Sequence, residues 1–258
     1  CPPQTRAIHY GRFVRYVNPE AELDAHELGV KNRVVDTPPK QNSLEGLLAG
    51  LEEAKLTRGR VGYDEKGMDP ANVAAAQERL PDLEFVPAWS ILRKIRAVKT
   101  EEEIHRLTEA LRLNERAIQA AISVARPGVQ EEDLIREYEK TVVAAGGRPI
   151  FTEITFGRRS AIGTSPIQDG VLQEGMIIRF DVGCRLEGYC TDIARLFAFR
   201  HEPPARALKI YDALVKGEDD MIAFMRPGVT ASEVFHHAVQ SVRAAGVPNY
   251  ERNHVGHA

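Results

Sequence analysis

The sequence has little tryptophan, cysteine or methionine: one Trp, three Cys and four Met in 258 residues. A small, odd number of cysteines argues against a disulfide-stapled scaffold and for reduced thiols in a cytosolic protein. Cys184 and Cys190 read as small buried hydrophobes before they read as metal ligands. No run of about 18 apolar residues occurs, so no transmembrane helix is expected. Charge of one sign is also lacking. Lys plus Arg number 34 and Asp plus Glu 37, a net charge of −3, so neither nucleic acid nor a membrane surface is expected as a partner. The opening Cys1-Pro2-Pro3-Gln4 does not read as a secretory signal and contains no initiating Met; a cytoplasmic location is the expectation. What is present is ordinary for a globular chain: 43% hydrophobic and 28% charged residues, and length for one large domain or two smaller ones.

Residues 1–90 read as a separate α/β domain. Residues 42–54 carry Leu44, Leu47, Leu48 and Leu51 on one helical stripe. Residues 61–64 and 83–86 read as short strands, and Pro70–Arg79 as a helix with proline in its first turn. Pro87-Ala88-Trp89-Ser90 marks the expected boundary, and residues 91–258 form the second domain. There Glu101–Ser123 and Glu131–Ala144 alternate apolar and charged residues at helical spacing. The first stripe runs through Ile104, Leu107, Ala110, Leu111, Ile118, Ala121 and Ile122, and Thr100 with Glu103 fits a capping box.

The second domain repeats itself. Arg126-Pro127-Gly128-Val129 recurs as Arg226-Pro227-Gly228-Val229, and Ala144-Ala145-Gly146 as Ala244-Ala245-Gly246, an offset of 100 in both cases. Each copy places a helix, a Pro-Gly break, an amphipathic helix and a glycine stop in the same order, which points to a duplicated α/β half. The first copy leads to a hairpin, and the second to Asn253-His254-Val255-Gly256-His257-Ala258. A half without strands of its own leaves a sheet edge uncovered. The expectation is therefore a piece of a longer protein, with strands both before Cys1 and after Ala258.

The hairpin contains Asp181 and Asp192, flanking the break Arg185-Leu186-Glu187-Gly188. If the turn centres on Leu186-Glu187, the two aspartates face each other directly with Cβ atoms about 5 Å apart. A bulge in a four-residue loop would shift that register by one. Directly opposed like charges cost up to ~1 kcal/mol. A divalent cation would relieve this, because carboxylate oxygens are hard ligands.

The pattern Asp181-x-Gly183-x4-Gly188-Tyr189-x2-Asp192-x2-Arg195 resembles the first metal-ligand segment of the pita-bread metallopeptidases, the family of methionine aminopeptidase, aminopeptidase P, prolidase and the metal-free creatinase. His254-Val255-Gly256-His257 resembles the segment that supplies the family's histidine ligand, and residues 94–104 resemble the start of its catalytic domain. The first third is similar to the extra domain of the proline-directed members and creatinase. The resemblance implies a mixed α/β (α+β) fold class: a pita-bread catalytic fold, incomplete at the C-terminus, behind a separate N-terminal domain. It implies two divalent metal ions (Mn2+, Co2+, Fe2+ or Zn2+) held by Asp181, Asp192 and His257 together with two glutamates from further strands. It also implies a peptide substrate cleaved at an Xaa-Pro bond by a metal-bridging hydroxide, and a homodimer. His254 is the candidate substrate-binding residue. In an extended segment its spacing turns it to the face opposite His257, so substrate contact and a plain surface position both stay open.

One departure stands out. Proline-directed members commonly carry a substrate-binding histidine shortly after the glycine that Gly157 resembles, and here Thr164 or Ser165 falls near its place. A non-peptidase amide or amidine hydrolase and an inactive binding module of the same fold are the competing readings. Phe151 reads either as a pocket-rim aromatic or as core. Tyr189, Arg195 and the pair His236-His237 read as structural.

Overall fold

The structure is a computed structural model and describes residues 10–11, 17–34, 38–161 and 170–256. Two compact units divide the chain, Cys1–Val98 and Lys99–Ala258.

The first unit contains α1 (Ala25–Val34), α2 (Ser43–Glu53), β1 (Gly59–Tyr63), α3 (Pro70–Arg79), β2 (Leu83–Pro87) and α4 (Trp89–Ala97). Helix α2 starts where Asn42 accepts the Glu45 N–H at 2.9 Å. Helix α3 starts where Asp69 accepts the Ala71 N–H at 2.9 Å, ahead of Pro70. Both are N-caps that satisfy an otherwise orphaned amide. Strands β1 and β2 pair in parallel, Val61 against Phe85, with α3 as the crossover that parallel pairing requires. Among the described residues, Leu48, Leu51, Ala76 and Leu83 are its buried apolar side chains.

The second unit contains α5 (Glu101–Ser123), α6 (Glu131–Ala144), β3 (Arg148–Phe156), β4 (Ile177–Leu186), β5 (Tyr189–Cys190), β6 (Ile193–Ala198), α7 (Ala205–Phe224) and α8 (Ala231–Ala244). The expected capping box is formed, with Thr100 N–H donating to Glu103 at 2.8 Å and Glu103 N–H to Thr100 at 3.2 Å. Strand β4 is central: β3 flanks it on one side, and β5 followed by β6 on the other, all antiparallel. Alternation along β4 sorts its side chains. Ile178, Phe180, Val182 and Cys184 are buried in one core with Leu113, Ile118, Leu134, Tyr138 and Val142 of α5 and α6. Arg179, Asp181 and Gly183 therefore face away from that core.

Helix α5 differs from the sequence reading. Ile104 and Leu111 are exposed, and Leu113, Asn114 and Ala117 join Ala110, Ile118 and Ala121 inside. The buried positions follow i, i+3, i+4, i+7 spacing from Ala110, and Leu111 lies about 100° around the helix from that line.

The repeat extends to the backbone. Gly128 and Gly228 adopt φ of 93° and 94°, a left-handed conformation in which glycine carries no Cβ penalty. The amides of Val129 and Val229 donate to the carbonyls of Arg126 and Arg226, both at 3.2 Å. Asp133 accepts the Gln130 N–H at 3.0 Å, and Glu233 accepts the Thr230 N–H at 2.8 Å. Among the described residues, no helix is long and apolar enough to cross a membrane.

Candidate metal centre

The hairpin turn sets the geometry of the site. Leu186 pairs with Tyr189, and the two residues between them, Glu187 and Gly188, have φ of 49° and 93°. Two consecutive positive φ angles make a two-residue primed turn, whose twist matches the strands. The turn is thus centred one residue later than Leu186-Glu187. Every partner moves by two, and Asp181 lies opposite Ala194 rather than Asp192. A shift of two preserves the faces. Asp192 is therefore the diagonal neighbour of Asp181 on the same face, at roughly 7–8 Å between Cα atoms. It sits exposed in the break between β5 and β6.

A bulge in β3 brings in a third carboxylate. The register skips Ile150, placing Phe151 opposite Gly183 and Glu153 opposite Asp181. Phe151 packs so closely on Gly183 that a Cβ there would stand 2.5 Å from its ring and 2.5 Å from the Thr191 carbonyl; no side chain fits at that position. Arg179, two residues before Asp181 and so on the same face, pairs with Glu153 at 3.4 Å and with Asp181. Burial pushes the Asp181 carboxyl above its ordinary pKa. The Arg179 guanidinium pulls it down, the charges of Asp192 and Glu153 push it up again, and Arg252 pulls it down. The net direction is upward, as for a carboxylate partly removed from water beside like charges.

Arg252, in the segment 251–256, is a residue whose charge acts on Asp181. His254 is in this segment, exposed, and its carbonyl accepts Arg252 Nε at 3.5 Å. His257 lies outside the described residues, as do Thr164 and Ser165. Among the described residues, no three His, Cys, Asp or Glu side chains are arranged to hold a metal ion. The structure thus brings Asp181 and Asp192 onto one face and adds Glu153, Arg179 and Arg252, which sequence reasoning missed. Arg179 had a signal, its two-residue spacing from Asp181; Glu153 had none without the bulge.

Arg195 and His237, both read as structural, find structural partners. Arg195 reaches Glu115 of α5 at 2.8 Å. His237 stacks on Phe224 at 4.2 Å between ring centroids, and His236 is exposed. Cys184 is a buried free thiol as expected, but Cys190 is exposed, because it lies in the short strand just after the turn.

Residues 105–258 match the profile of metallopeptidase family M24. The chain belongs to this family. An uncharacterized peptidase of Staphylococcus saprophyticus is 30% identical to this M24 chain over 168 residues, 64% of the chain and 48% of the relative. The X-Pro aminopeptidase of Thermotoga maritima superposes with a TM-score of 0.70 at 22% identity, over 86% of this chain and 63% of that one. The Xaa-Pro dipeptidase of Bacillus anthracis does so with a TM-score of 0.70 at 24% identity, over the same shares. These superpositions establish the pita-bread fold of M24 enzymes. The chain spans about half to two-thirds of the length of these relatives.

Proposed function

We propose that the protein is a peptidase that uses two divalent metal ions to cleave at Xaa-Pro bonds, with Asp181, Asp192 and His257 among the ligands. The observation that carries this is the placement of Asp181 and Asp192 on one face of the sheet, close enough for the charge of one to raise the pKa of the other. Hard oxygen donors that repel one another suit a divalent cation, which would remove the repulsion. Bound metal would polarise the scissile carbonyl and lower the pKa of a water molecule to near neutrality. The chain's own residues do the holding. Strand β4 fixes Asp181, the break after β5 presents Asp192, and Arg179 keeps Glu153 tied beside them. Xaa-Pro chemistry is what the two superposed enzymes are named for. The missing histidine after Gly157 supports a second reading, a small amide substrate in place of a peptide.

The test is a panel of Xaa-Pro dipeptides, longer Xaa-Pro peptides and small amides, assayed with Mn2+ and with chelator. Metal-dependent cleavage of the Xaa-Pro peptides is expected; cleavage of the amides alone moves the assignment to the second reading, and no cleavage sinks both. Asp192→Asn should lower activity by more than the roughly 10–100-fold that loss of an outer-shell partner costs. Its metal content, by elemental analysis, should fall as well. Full metal content in that variant removes Asp192 from the ligand set.

A further inference from the structure

On the helix side of the sheet, directly behind the aspartates, lies a buried polar cluster. Asn114 of α5 is fully buried, in line with Ala110, Ala117 and Ala121. Its Nδ2 donates to the Val182 carbonyl at 3.1 Å and to Thr191 Oγ1 at 2.8 Å. Its Oδ1 accepts from the Tyr138 hydroxyl at 2.8 Å. Val182 is the residue after Asp181, and Thr191 is the residue before Asp192. One amide therefore grips both segments that carry the aspartates, at the adjoining position of each.

Thr191 lies in the gap where β5 has ended and β6 has not begun. Its hydroxyl accepts the Cys184 N–H at 3.0 Å and donates to the Cys184 carbonyl at 3.2 Å, and its own N–H reaches that carbonyl at 2.8 Å. With the bond from Asn114, the hydroxyl has used its one donor and both acceptor positions. These bonds hold the chain across the gap and leave Asp192 on the opposite face. Helix α5 could have been sealed here by leucine, with no polar group to desolvate. A fully satisfied buried network instead fixes one arrangement of the two segments.

We propose that Asn114 and Thr191 are positioning residues that set the spacing of Asp181 and Asp192, and through it the affinity of the site for a divalent cation. This rests on the metal-site reading above. The test uses the purified full chain, with Mn2+ affinity measured by calorimetry and the melting temperature measured alongside. Thr191→Val keeps the shape and removes the hydroxyl, and Thr191→Ser restores the hydroxyl. Tyr138→Phe removes a bond to Asn114 that reaches neither aspartate segment. Thr191→Val is expected to weaken Mn2+ binding about tenfold, with Thr191→Ser and Tyr138→Phe staying within about twofold of wild type. Tyr138→Phe should nevertheless lower the melting temperature, which separates stability from positioning.

A folded Thr191→Val protein with wild-type Mn2+ affinity overturns the proposal. So does a loss in Tyr138→Phe or Thr191→Ser equal to that in Thr191→Val, which would mark general loosening. If Thr191→Val does not fold, Thr191→Ala removes the same hydroxyl without crowding and decides on the same criterion. A wild-type protein that binds no Mn2+ defeats the metal reading and the proposal together, an outcome distinct from unchanged affinity in the variant.

Discussion

Helices α5 and α6 and helices α7 and α8 are joined by the same Arg-Pro-Gly-Val turn, with glycine φ angles of 93° and 94°, and each second helix starts with an acidic residue capping its first turn. Their surroundings differ. The first pair shares a core with the inner face of β4, where Phe180 and Val182 are fully buried. The second pair buries Ala213, Gly217, Ala238, Val239 and Val242, and leaves Ile210, Tyr211, Val215 and Ile222 exposed. The same local code thus makes the same helix pair in both surroundings. Caps and turns mark where each helix starts and stops, and tertiary packing supplies most of its stability.

The largest effect that would break this contrast lies in the core. Phe180→Ala should destabilise the second unit by roughly 3–5 kcal/mol, by lost transfer energy plus a cavity that β4 cannot close. Val239→Ala on α8 should cost roughly 1–2 kcal/mol, about 0.8 kcal/mol for each methyl removed. Urea unfolding of both variants measures the difference. Equal losses would mean that the second pair is built in as firmly as the first.

A smaller effect sharpens the comparison within α7 and α8. A Cβ at Gly217 would clash with Val242 Cγ2 and stand 3.4 Å from the Ala238 carbonyl, so the glycine lets the two helices approach. Gly217→Ala should destabilise by about 1–3 kcal/mol through overpacking, offset by up to ~1 kcal/mol of improved helix propensity. Adding Val242→Ala should recover part of the loss, since the two sites share one contact. A double variant that simply sums the two losses would show that the helices part rather than interlock there.

Much of this was legible in the sequence because it is locally encoded. Glu101–Ser123, Glu131–Ala144 and Pro70–Arg79 are read from capping residues and apolar spacing alone, and the structure has helices at those bounds. The repeat needed only two matching tetrapeptide and tripeptide signals. What was not legible depends on which residues face each other across strands. The partner of Asp181 hinged on whether the turn used Leu186-Glu187 or Glu187-Gly188, a choice of one residue. Glu153 became its neighbour through a bulge at Ile150 that no residue type announces. Asn114 carries no apolar signal of its own, although it lies four residues from both Ala110 and Ile118 on the buried line of α5.

The smallest effect concerns the caps, where the two pairs should behave alike. The Thr100 and Thr230 backbone amides hold the Glu103 and Glu233 carboxyls below their ordinary value of 4.5. A carboxylate depressed in the folded state stabilises it fully above the unfolded pKa, and loses that contribution as pH falls through the folded value. Glu103→Ala and Glu233→Ala should therefore lower the melting temperature slightly at pH 7, and the difference from wild type should shrink as pH drops below about 4.5. Helix α5 packs on the sheet and α8 on α7, yet the caps sit at solvent-facing ends in both. A similar shift in both variants would confirm that capping acts independently of the core. A shift confined to Glu103→Ala would show that a cap contributes only when the helix behind it is packed on the sheet.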